Sequence, residues 1–477
     1  MAEHHPLVLD VDGTFLRTDM LFECFWAGLG QDPIATLATL RHVGQPQVLK
    51  AELSRIVTLR TDLMPVTPEI AELAVAAAGQ GREVVLASAS HHTLVTQLAA
   101  DHNLSGRIFA SDTTVNLKGA AKAEALAAAY GEGGFDYAGN EAADRAIWTQ
   151  ADTALVVGDE PSARALAAAG KPVQSFPGGW RARDLLRAIR PHQWVKNILL
   201  FVPMIAAHAF DMATLIMVLL GMVAFSAAAS SIYVVNDLLD LEADRLHTKK
   251  RHRPFASGAV PIRVGMMTCV GLAIIALGLG AALGLPFFLV TALYMSVSLA
   301  YSLRLKRMRW ADIVMLASLY TLRVTAGAMA TGLAVSGYLI AFIFPTFLAL
   351  GAVKRLTELT LATTDDRLPG RGYARPDRKA LLRFAQLGVM AALLAFFLYS
   401  FSAQAVVLYP TQWLLWLALL PIAWWQIRMV RLGYRGKQDY DPILFAMKDK
   451  RGIGLLLITL SIMFYAAGLW QDWFGIG

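Results

Sequence analysis

Four oxygen-bearing side chains follow directly on a long apolar run at residues 212–235. They are Asn236, Asp237, Asp240 and Asp244, and side chains three or four positions apart lie on one face of a helix. Clustered carboxylates repel one another unless a cation lies between them, and hard oxygen ligands favour Mg²⁺. The simpler alternative is a solvated acidic helix end, but charge at the end of a membrane helix is usually functional. The spacing therefore predicts a magnesium site that binds a diphosphate, with Asp237 and Asp240 essential for catalysis.

Basic residues gather in the segments that connect the apolar runs of the second half. A positively charged surround suits a substrate with several phosphates. The alternative is that many of these residues only set the membrane topology. The candidates for substrate binding are Lys196, Arg253, Lys306, Lys354 and Arg355, with Glu358 one helical turn after Lys354.

Two charged residues lie inside a single apolar run, at 311–331. Asp312 and Arg323 are eleven positions apart, which places them on one helix face about 16 Å apart along the axis. An arginine inside a span is costly and is expected to face the bundle interior. Both are candidates for substrate binding, and a structural ion pair with a neighbouring helix is the alternative.

The composition indicates a membrane protein with an unequal charge distribution. The 477 residues are 56% hydrophobic and 17% charged, with a mean hydropathy of +0.48, whereas a soluble protein is about 25% charged. Residues 1–180 carry 12 Lys and Arg against 21 Asp and Glu, and residues 181–477 carry 31 against 15. Because the positive charge belongs to the apolar half, we expect anionic lipids and phosphorylated substrates as partners and no nucleic acid.

The chain is predicted to have two domains joined near residue 180. In residues 1–180, short β-branched runs alternate with Ala-rich amphipathic helices, the pattern of a parallel sheet with crossover helices. Pro177-Gly178-Gly179 marks the boundary. Residues 181–196 are predicted to form a basic amphipathic linker helix that lies on the cytoplasmic leaflet.

The domain at 194–477 is predicted to be an all-α bundle that crosses the membrane nine times. Nine apolar runs approach the length of about 20 residues that a span needs. Alternate connections are rich in Lys and Arg, and the others contain none. By the positive-inside rule, this places the acidic motif and the amino-terminal domain in the cytoplasm and the carboxyl terminus outside. The predicted spans are 194–210, 212–235, 264–283, 285–303, 311–331, 335–353, 380–401, 411–429 and 453–471.

These spans, with Asn-Asp-x-x-Asp-x-x-x-Asp after the second, resemble the UbiA superfamily of intramembrane prenyltransferases. Most members carry a second acidic motif after the fifth or sixth span. Here only Asp312 lies near such a place, and residues 313–316 are apolar. This departure counts against an isoprenyl diphosphate donor, which the second motif helps to hold.

Five further strings are similar to the decaprenyl-phosphate 5-phosphoribosyltransferase branch. The resemblance covers about 185–455 and implies transfer of phosphoribose from phosphoribosyl diphosphate to a polyprenyl phosphate, with Mg²⁺ as cofactor and arabinose-donor precursors as products. It also adds Asn197 to the substrate-binding candidates. The strings are Arg190-Pro-His-Gln-Trp-Val-Lys196-Asn197, Tyr301-Ser-Leu-Arg-Leu-Lys306, Tyr320-Thr-Leu-Arg323, Lys354-Arg355-x-x-Glu358-Leu359 and Asp441-Pro-Ile-Leu-Phe445-Ala446.

The amino-terminal domain resembles the haloacid dehalogenase-like phosphatases, an α/β Rossmann-like fold. The string Asp10-Val-Asp12-Gly13-Thr14 after an apolar strand is similar to the family's first motif. The resemblance implies that Asp10 is the nucleophile and Asp12 the general acid/base, and that residues 18–80 form a helical cap.

The sequence also matches the other phosphatase motifs, except at one position of the fourth. Ser88, after Val84-Val-Leu-Ala, and Lys122 are implied to bind phosphate. The fourth motif would be Gly-Asp-x-x-x-Asp, but the chain has Gly139-Asn140-Glu-Ala-Ala-Asp144. The implied magnesium ligands are Asp10, Asp12, Asn140 and Asp144, with one charge fewer than usual.

The fusion suggests coupled reactions in one bacterial inner-membrane protein. The main hypothesis is a phosphoribosyltransferase whose amino-terminal domain removes the 5-phosphate from the lipid product. One alternative is a prenyltransferase that acts on an aromatic or haem acceptor, with a regulatory or inactive phosphatase-like domain. Another is a carrier or channel, but carriers place polar residues near mid-membrane, whereas here they gather at one face. Lipid chain length and oligomeric state are left open.

Overall fold

A computed structural model describes residues 5–104, 106–362, 367, 372–438 and 441–475. The chain divides into two compact units. The first comprises Met1–Ile189 and Tyr233–Cys269, and the second comprises Arg190–Ile232 and Val270–Gly477. Residues 233–269, here called the acidic segment, therefore belong with the amino-terminal domain, whereas the sequence predicted a division near residue 180.

The first unit is built on a six-stranded parallel sheet in the order β3-β2-β1-β4-β5-β6. Parallel strands need crossover connections, which the helices between them supply. The strands are β1 (Leu7–Asp10), β2 (Val84–His91), β3 (Ile108–Ser111), β4 (Asp136–Gly139), β5 (Ala154–Val157) and β6 (Val173–Phe176).

Helices cover both faces of this sheet. Alternate residues of β1 point to opposite faces, so Leu7 and Leu9 pack in one buried cluster and Val8 in the other. Both faces are apolar, as in parallel sheets generally. The α/β prediction for this part of the chain is thus confirmed.

The first unit also contains the segment predicted to form a cap, residues 18–80. Much of this segment is helical, and its role as a cap stays a prediction. Helix α1 begins where Asp19 accepts hydrogen bonds from the amides of Leu21 and Phe22. The helices before residue 190 are α1 (Met20–Gln31), α2 (Pro33–Ala38), α3 (Pro46–Ile56), α4 (Pro68–Gly79), α5 (His92–Asp101), α6 (Ala120–Tyr130), α7 (Arg145–Gln150), α8 (Glu160–Ala168) and α9 (Ala182–Ala188), with 3₁₀ turns at Thr39–His42, Thr61–Leu63 and Ala142–Asp144.

The rest of the described chain is helical. It contains α10 (Val202–Ala206), α11 (Met212–Leu239), α12 (Leu241–Leu246), α13 (Ile262–Ala282), α14 (Leu285–Leu303), α15 (Ala311–Thr331), α16 (Gly337–Leu361), α17 (Arg378–Tyr399), α18 (Ala403–Leu408), α19 (Leu414–Tyr434), α20 (Pro442–Ala446), α21 (Lys450–Ala466) and α22 (Leu469–Phe474), with 3₁₀ helices at Pro191–Phe201, Lys250–His252, Leu305–Arg307 and Arg375–Asp377.

Six of the described helices are long and apolar enough to cross a membrane, and the protein is an integral membrane protein. They are Met212–Leu239, Ile262–Ala282, Leu285–Leu303, Ala311–Thr331, Gly337–Leu361 and Arg375–Tyr399. The predicted spans at 411–429 and 453–471 fall on α19 and α21. Nine spans and their orientation stay predictions.

The predicted linker helix and first span are wrong as continuous α-helices. Helix α9 ends at Ala188, and Arg190 has a left-handed backbone, with φ of 53°. Proline disfavours the helical conformation in the residue before it, and Pro191 follows. Residues 191–201 then form a 3₁₀ helix, and α10 has only five residues.

Close packing against the 3₁₀ helix occurs within the second unit. A side chain at Gly327 of α15 would lie 2.0 Å from the carbonyl oxygen of Leu200. Only glycine allows this approach, which brings Arg323 on the same helix towards Asn197.

The acidic segment packs against helix α1 in the first unit. Trp26 of α1 shares a buried apolar cluster with Leu238, Leu241, Phe255 and Val260. Burial of such side chains contributes roughly 1.5–3 kcal/mol each. This packing explains why the acidic segment and residues 1–189 form one unit.

Candidate functional site

The motif residues of the amino-terminal domain converge at one edge of the sheet. Asp10 ends β1, Ser88 lies in β2, and Asn140 follows β4. These three strands are neighbours, and the carboxyl ends of parallel strands meet at the same edge, where ligands bind in open α/β sheets. We call this cluster the sheet-edge site.

A buried ion pair forms the centre of the sheet-edge site. Lys122 Nζ lies 2.5 Å from Asp10 Oδ1 and donates to the carbonyl oxygen of Ala87 at 3.1 Å. Burial raises the pKa of Asp10 to about 7, with a further increase from the charge of Asp144 and an opposing effect of Lys122. The lysine thus helps to keep a buried carboxylate ionised, as a nucleophile requires.

Asp12 lies beside Asp10 and accepts three hydrogen bonds. Ser90 Oγ donates to its Oδ2 at 2.7 Å and Ser88 Oγ at 3.2 Å, while the amide of Met20 donates to Oδ1 at 2.8 Å. The predicted phosphate ligand Ser88 therefore contacts Asp12. Ser90 was missed, because nothing in its spacing distinguishes it from other serines.

Asn140 and Asp144, the two residues of the fourth motif, have different hydrogen-bond partners. Thr14 Oγ1 lies 3.2 Å from Asn140 Oδ1 and 3.3 Å from Asp10 Oδ2, which places Asn140 at the site. Asp144 accepts from Tyr137 Oη at 2.9 Å and from the amide of Asn140 at 3.0 Å. Its carboxylate is thus held as an orienting group, which the sequence did not predict.

In the acidic segment, two carboxylates converge on one cationic group. Arg253 Nη1 lies 3.0 Å from Asp237 Oδ1 and 2.6 Å from Asp244 Oδ2, and both aspartates are buried. Burial raises the pKa of Asp244; the charge of Arg253 lowers it and that of Asp237 raises it. The guanidinium occupies a position at which two hard oxygen ligands meet, so the donor set fits a divalent cation such as Mg²⁺.

The four predicted ligands do not lie on one uninterrupted helix. Helix α11 ends at Leu239, and Asp240 forms the junction with α12, with φ of −103° and ψ of 15°. Asn236 and Asp240 are half-buried. Within the described ranges, no three His, Cys, Asp or Glu side chains form a group that could hold a metal ion. Asp237 and Asp244 meet at Arg253, and joint ligation of a metal ion by all four residues stays a prediction.

In the second unit, the charges of two lysines act on one carboxylate. Lys196 pairs with Asp441, whose Oδ1 also accepts from the amides of Ile443 and Leu444 at 3.1 and 3.3 Å. Burial raises the pKa of Asp441, but the charges of Lys196 and Lys354, together with hydrogen bonds from Lys196 and Leu444, bring it below its usual value. Lysine side chains are charge-assisted donors that suit a phosphate group. We call Lys196, Lys354 and Asp441 the lysine pair site.

Arg323 is the centre of a buried polar network. Its Nε donates to Asn197 Oδ1 at 3.1 Å and its Nη2 to Tyr294 Oη at 2.8 Å, and Asn197 Nδ2 donates to Ser226 Oγ at 2.9 Å. The prediction that Arg323 faces the bundle interior agrees with this burial. The guanidinium also lies over the rings of Tyr294 and Tyr320, at 4.8 and 5.3 Å.

Arg355, predicted to bind phosphate, contacts two protein carboxylates. Its Nε and Nη2 donate to Asp312 at 2.5 and 2.8 Å, and its Nη1 donates to Glu358 at 2.6 Å. Tyr301 Oη donates to Asp312 at 2.9 Å. A fully buried guanidinium needs such partners, so we interpret Arg355, Asp312 and Glu358 as a structural ion-pair network. Lys306, in a 3₁₀ turn, is also buried.

Comparisons with known proteins relate the second half of the chain to a membrane enzyme family. A model of the UbiA prenyltransferase family matches residues 198–449. The uncharacterized protein y4nM of Sinorhizobium fredii is 33% identical over 475 residues, which cover 96% of this chain and 90% of that protein. The nodulation protein NoeC of Azorhizobium caulinodans is 34% identical over 283 residues, covering 58% of this chain and 91% of NoeC.

A shorter match relates the chain to an enzyme of stated activity. The decaprenyl-phosphate phosphoribosyltransferase of Corynebacterium glutamicum is 39% identical over 189 residues, which cover 38% of this chain and 56% of that enzyme. Among solved structures, a UbiA homolog from Archaeoglobus fulgidus bound to GPP and Mg²⁺ is 16% identical, with a TM-score of 0.46 over 60% of this chain and 99% of the homolog.

Proposed function

The chain belongs to the UbiA prenyltransferase family, and on that premise we propose that it is a phosphoribosyltransferase. It transfers 5-phosphoribose from phosphoribosyl diphosphate to polyprenyl phosphate. The observation that carries this proposal is the 39% identity with a decaprenyl-phosphate phosphoribosyltransferase over 189 residues. The basic residues of the second unit and the oxygen ligands of the acidic segment supply the two kinds of group that such substrates require.

The acidic segment would hold Mg²⁺ and, through it, the donor's diphosphate. The candidate ligands are Asp237, Asp240 and Asp244, with Asn236. The ion supplies charge neutralisation that makes diphosphate a better leaving group. Arg253, released from the two carboxylates, would then contact a phosphate oxygen as a charge-assisted donor.

The reaction forms one bond and breaks one at the anomeric carbon of ribose. A phosphate oxygen of the lipid attacks this carbon, and the bond to the diphosphate oxygen breaks. The lipid phosphate is already an anion at neutral pH, so no strong general base is required. Positive charge that develops on the ribose is stabilised by nearby carboxylates.

The lysine pair site would bind a phosphate of one substrate. Lys196 pairs with Asp441, and the charge of Lys354 also acts on this carboxylate. A phosphate anion would supply a further negative group for the two lysines. Asn197 and Arg323 would support the 3₁₀ helix that carries Lys196, since they are hydrogen-bonded to each other.

The sheet-edge site would then remove the 5-phosphate from the lipid product. Asp10 attacks phosphorus, Asp12 protonates the departing ribose oxygen, and Asp12 later takes a proton from the water that hydrolyses the aspartyl phosphate. Lys122 and Ser88 stabilise the transferred phosphoryl group. Magnesium, with Asp10, Asp12 and Asn140 as candidate oxygen ligands, would neutralise phosphate charge.

Donor specificity tests the transferase proposal. The purified protein in lipid nanodiscs is incubated with polyprenyl phosphate and phosphoribosyl diphosphate labelled with ¹⁴C in the ribose. We expect label in the organic-soluble lipid fraction, and none after Asp237→Ala. Product formation only when an isoprenyl diphosphate and an aromatic acceptor are supplied would replace this proposal with the prenyltransferase alternative.

A further inference from the structure

We propose that Glu23, a residue of the amino-terminal domain, is a positioning residue for the metal ligands of the acidic segment. The proposal rests on the proposed function in one respect, that Asp237 and Asp244 hold a divalent cation. It assigns to the phosphatase-like domain a second role, which is to hold the acidic segment in the conformation that binds the cation.

A two-point ion pair joins Glu23 to the acidic segment. Arg245 Nη2 lies 2.5 Å from Glu23 Oε1, and Arg245 Nη1 lies 3.1 Å from Oε2. The exposed fractions of the two side chains are 7% for Arg245 and 4% for Glu23. Thr18 Oγ1 donates to the same carboxylate at 2.6 Å. Such paired, parallel contacts fix orientation as well as distance.

Arg245 is also connected to the two stretches of chain that carry Asp244 and Arg253. It directly follows Asp244 in α12, and its Nε donates to the carbonyl oxygen of Ala256 at 3.1 Å. Ser257, the next residue, is bonded through its hydroxyl to the carbonyl oxygen of Arg253 at 2.9 Å. Arg245 therefore holds together the chain around Asp244 and the chain around Arg253.

The backbone around this contact leaves little freedom. Gly258 has φ of +68°, and a side chain there would lie 2.6 Å from the Cβ atom of Arg17. Arg17 and Thr18 lie in the loop between Asp12 and α1, so the loop that follows the first motif packs directly against the acidic segment. A shift of helix α1 would therefore move Arg245 and, with it, Asp244.

A buried ion pair is weak evidence for stability, because apolar side chains of similar volume often replace one at no cost. We therefore assign to the pair of Glu23 and Arg245 a role in positioning Asp244. Partners that hydrogen-bond to metal ligands commonly alter metal affinity 10- to 100-fold when lost. Arg245 acts on Asp244 less directly, through the backbone, because the two residues are adjacent in α12. The pair joins residues 222 positions apart.

The test measures Mn²⁺ binding by the full chain in nanodiscs, by electron paramagnetic resonance. Asp10→Asn and Asp12→Asn in the background remove the sheet-edge ligands, so the signal reports the acidic segment. Glu23→Gln should weaken Mn²⁺ binding about 10-fold, the lower end of the range for partners bonded directly to a metal ligand. Glu160→Gln, which breaks the exposed pair with Arg164 in the same domain, should leave the affinity unchanged.

A double variant separates positioning from stability. Glu23→Gln with Arg245→Met leaves no unpaired guanidinium, so its melting temperature should return to that of the background protein. Its Mn²⁺ affinity should remain as weak as that of Glu23→Gln. Background affinity in the folded double variant would overturn the inference, and this variant decides the matter if Glu23→Gln alone does not fold.

The Mn²⁺ measurements test the role of Glu23 separately from the proposed use of phosphoribosyl diphosphate as donor. Asp237→Asn in the same background should abolish Mn²⁺ binding; retained binding would remove the metal assignment and this inference with it. A protein that binds Mn²⁺ as expected but transfers no phosphoribose would contradict only the proposed substrate.

Discussion

Arg355 contacts both carboxylate oxygens of Asp312, at 2.5 and 2.8 Å, and both side chains are fully buried. The pair joins α15 to α16 inside the second unit. Because Arg355 also pairs with Glu358, its charge is compensated within the protein. We therefore infer that Asp312 and Arg355, both predicted to bind substrate, hold α15 and α16 together.

Breaking this pair should destabilise the protein. Asp312→Asn leaves a buried guanidinium with one carboxylate fewer, at an expected cost of about 3–5 kcal/mol. The double variant Asp312→Leu/Arg355→Met should recover most of the loss. Thermal unfolding in detergent measures both, and an unchanged melting temperature for Asp312→Asn would contradict the structural interpretation.

Lys122 and Lys118 provide a matched pair at the sheet-edge site. Lys122 is buried against Asp10, whereas Lys118 is exposed and lies 3.7 Å from Glu141. Lys122→Met should lower hydrolysis of the lipid-linked 5-phosphate by about 10²-fold or more, since it removes a charge that stabilises the transferred phosphoryl group.

Lys118→Met serves as the control and should retain hydrolysis. Release of inorganic phosphate from purified lipid-linked phosphoribose measures both variants. Equal loss in the two would show that general positive charge matters rather than the buried contact with Asp10.

Lys354 should affect substrate affinity more than turnover. Lys354→Met removes a charge-assisted contact, worth about 1.5–3 kcal/mol, so the KM of one substrate should rise about 10- to 100-fold. Comparing KM for polyprenyl phosphate and for phosphoribosyl diphosphate identifies the substrate bound at the lysine pair site. Lys437→Met, at an exposed lysine of the same unit, should change neither value.

Asp237 should be essential for transfer but not for folding. Asp237→Ala removes one of the two carboxylates that converge on Arg253, so transfer should stop. Expression should be kept, because Arg253 is partly exposed and retains Asp244 as its partner. Chelation of divalent cations should stop transfer in the wild-type protein, and added Mg²⁺ should restore it. Near-normal turnover in Asp237→Ala would refute the metal assignment.

The sequence was most informative where chemistry follows a regular element. Asp10, Ser88 and Asn140 each stand at or after a strand, and adjacent parallel strands bring their ends together, so a local motif was enough to predict the cluster. The apolar runs at 212–235 and 311–331 likewise predict the helices α11 and α15, because length and hydropathy alone determine such spans.

Contacts between distant residues could not be predicted in this way. No local pattern links Glu23 to Arg245 or Lys196 to Asp441, and the charge of Arg355 alone does not distinguish a phosphate ligand from a buried ion pair. The break before the first predicted span depends on the left-handed backbone of Arg190 before Pro191. In these cases tertiary packing selected one of several chemically reasonable partners.

One assay tests most directly the claim that a single chain makes and then dephosphorylates a lipid-linked phosphoribose. The donor carries ¹⁴C in the ribose and ³²P at the 5-phosphate, and the lipid fraction is counted for both labels. The wild-type protein should give a lipid that keeps ¹⁴C and loses ³²P as inorganic phosphate, and Asp10→Asn should give a lipid that keeps both. A wild-type lipid fraction with neither label would contradict the transferase assignment, and one with ³²P fully retained would contradict the phosphatase assignment.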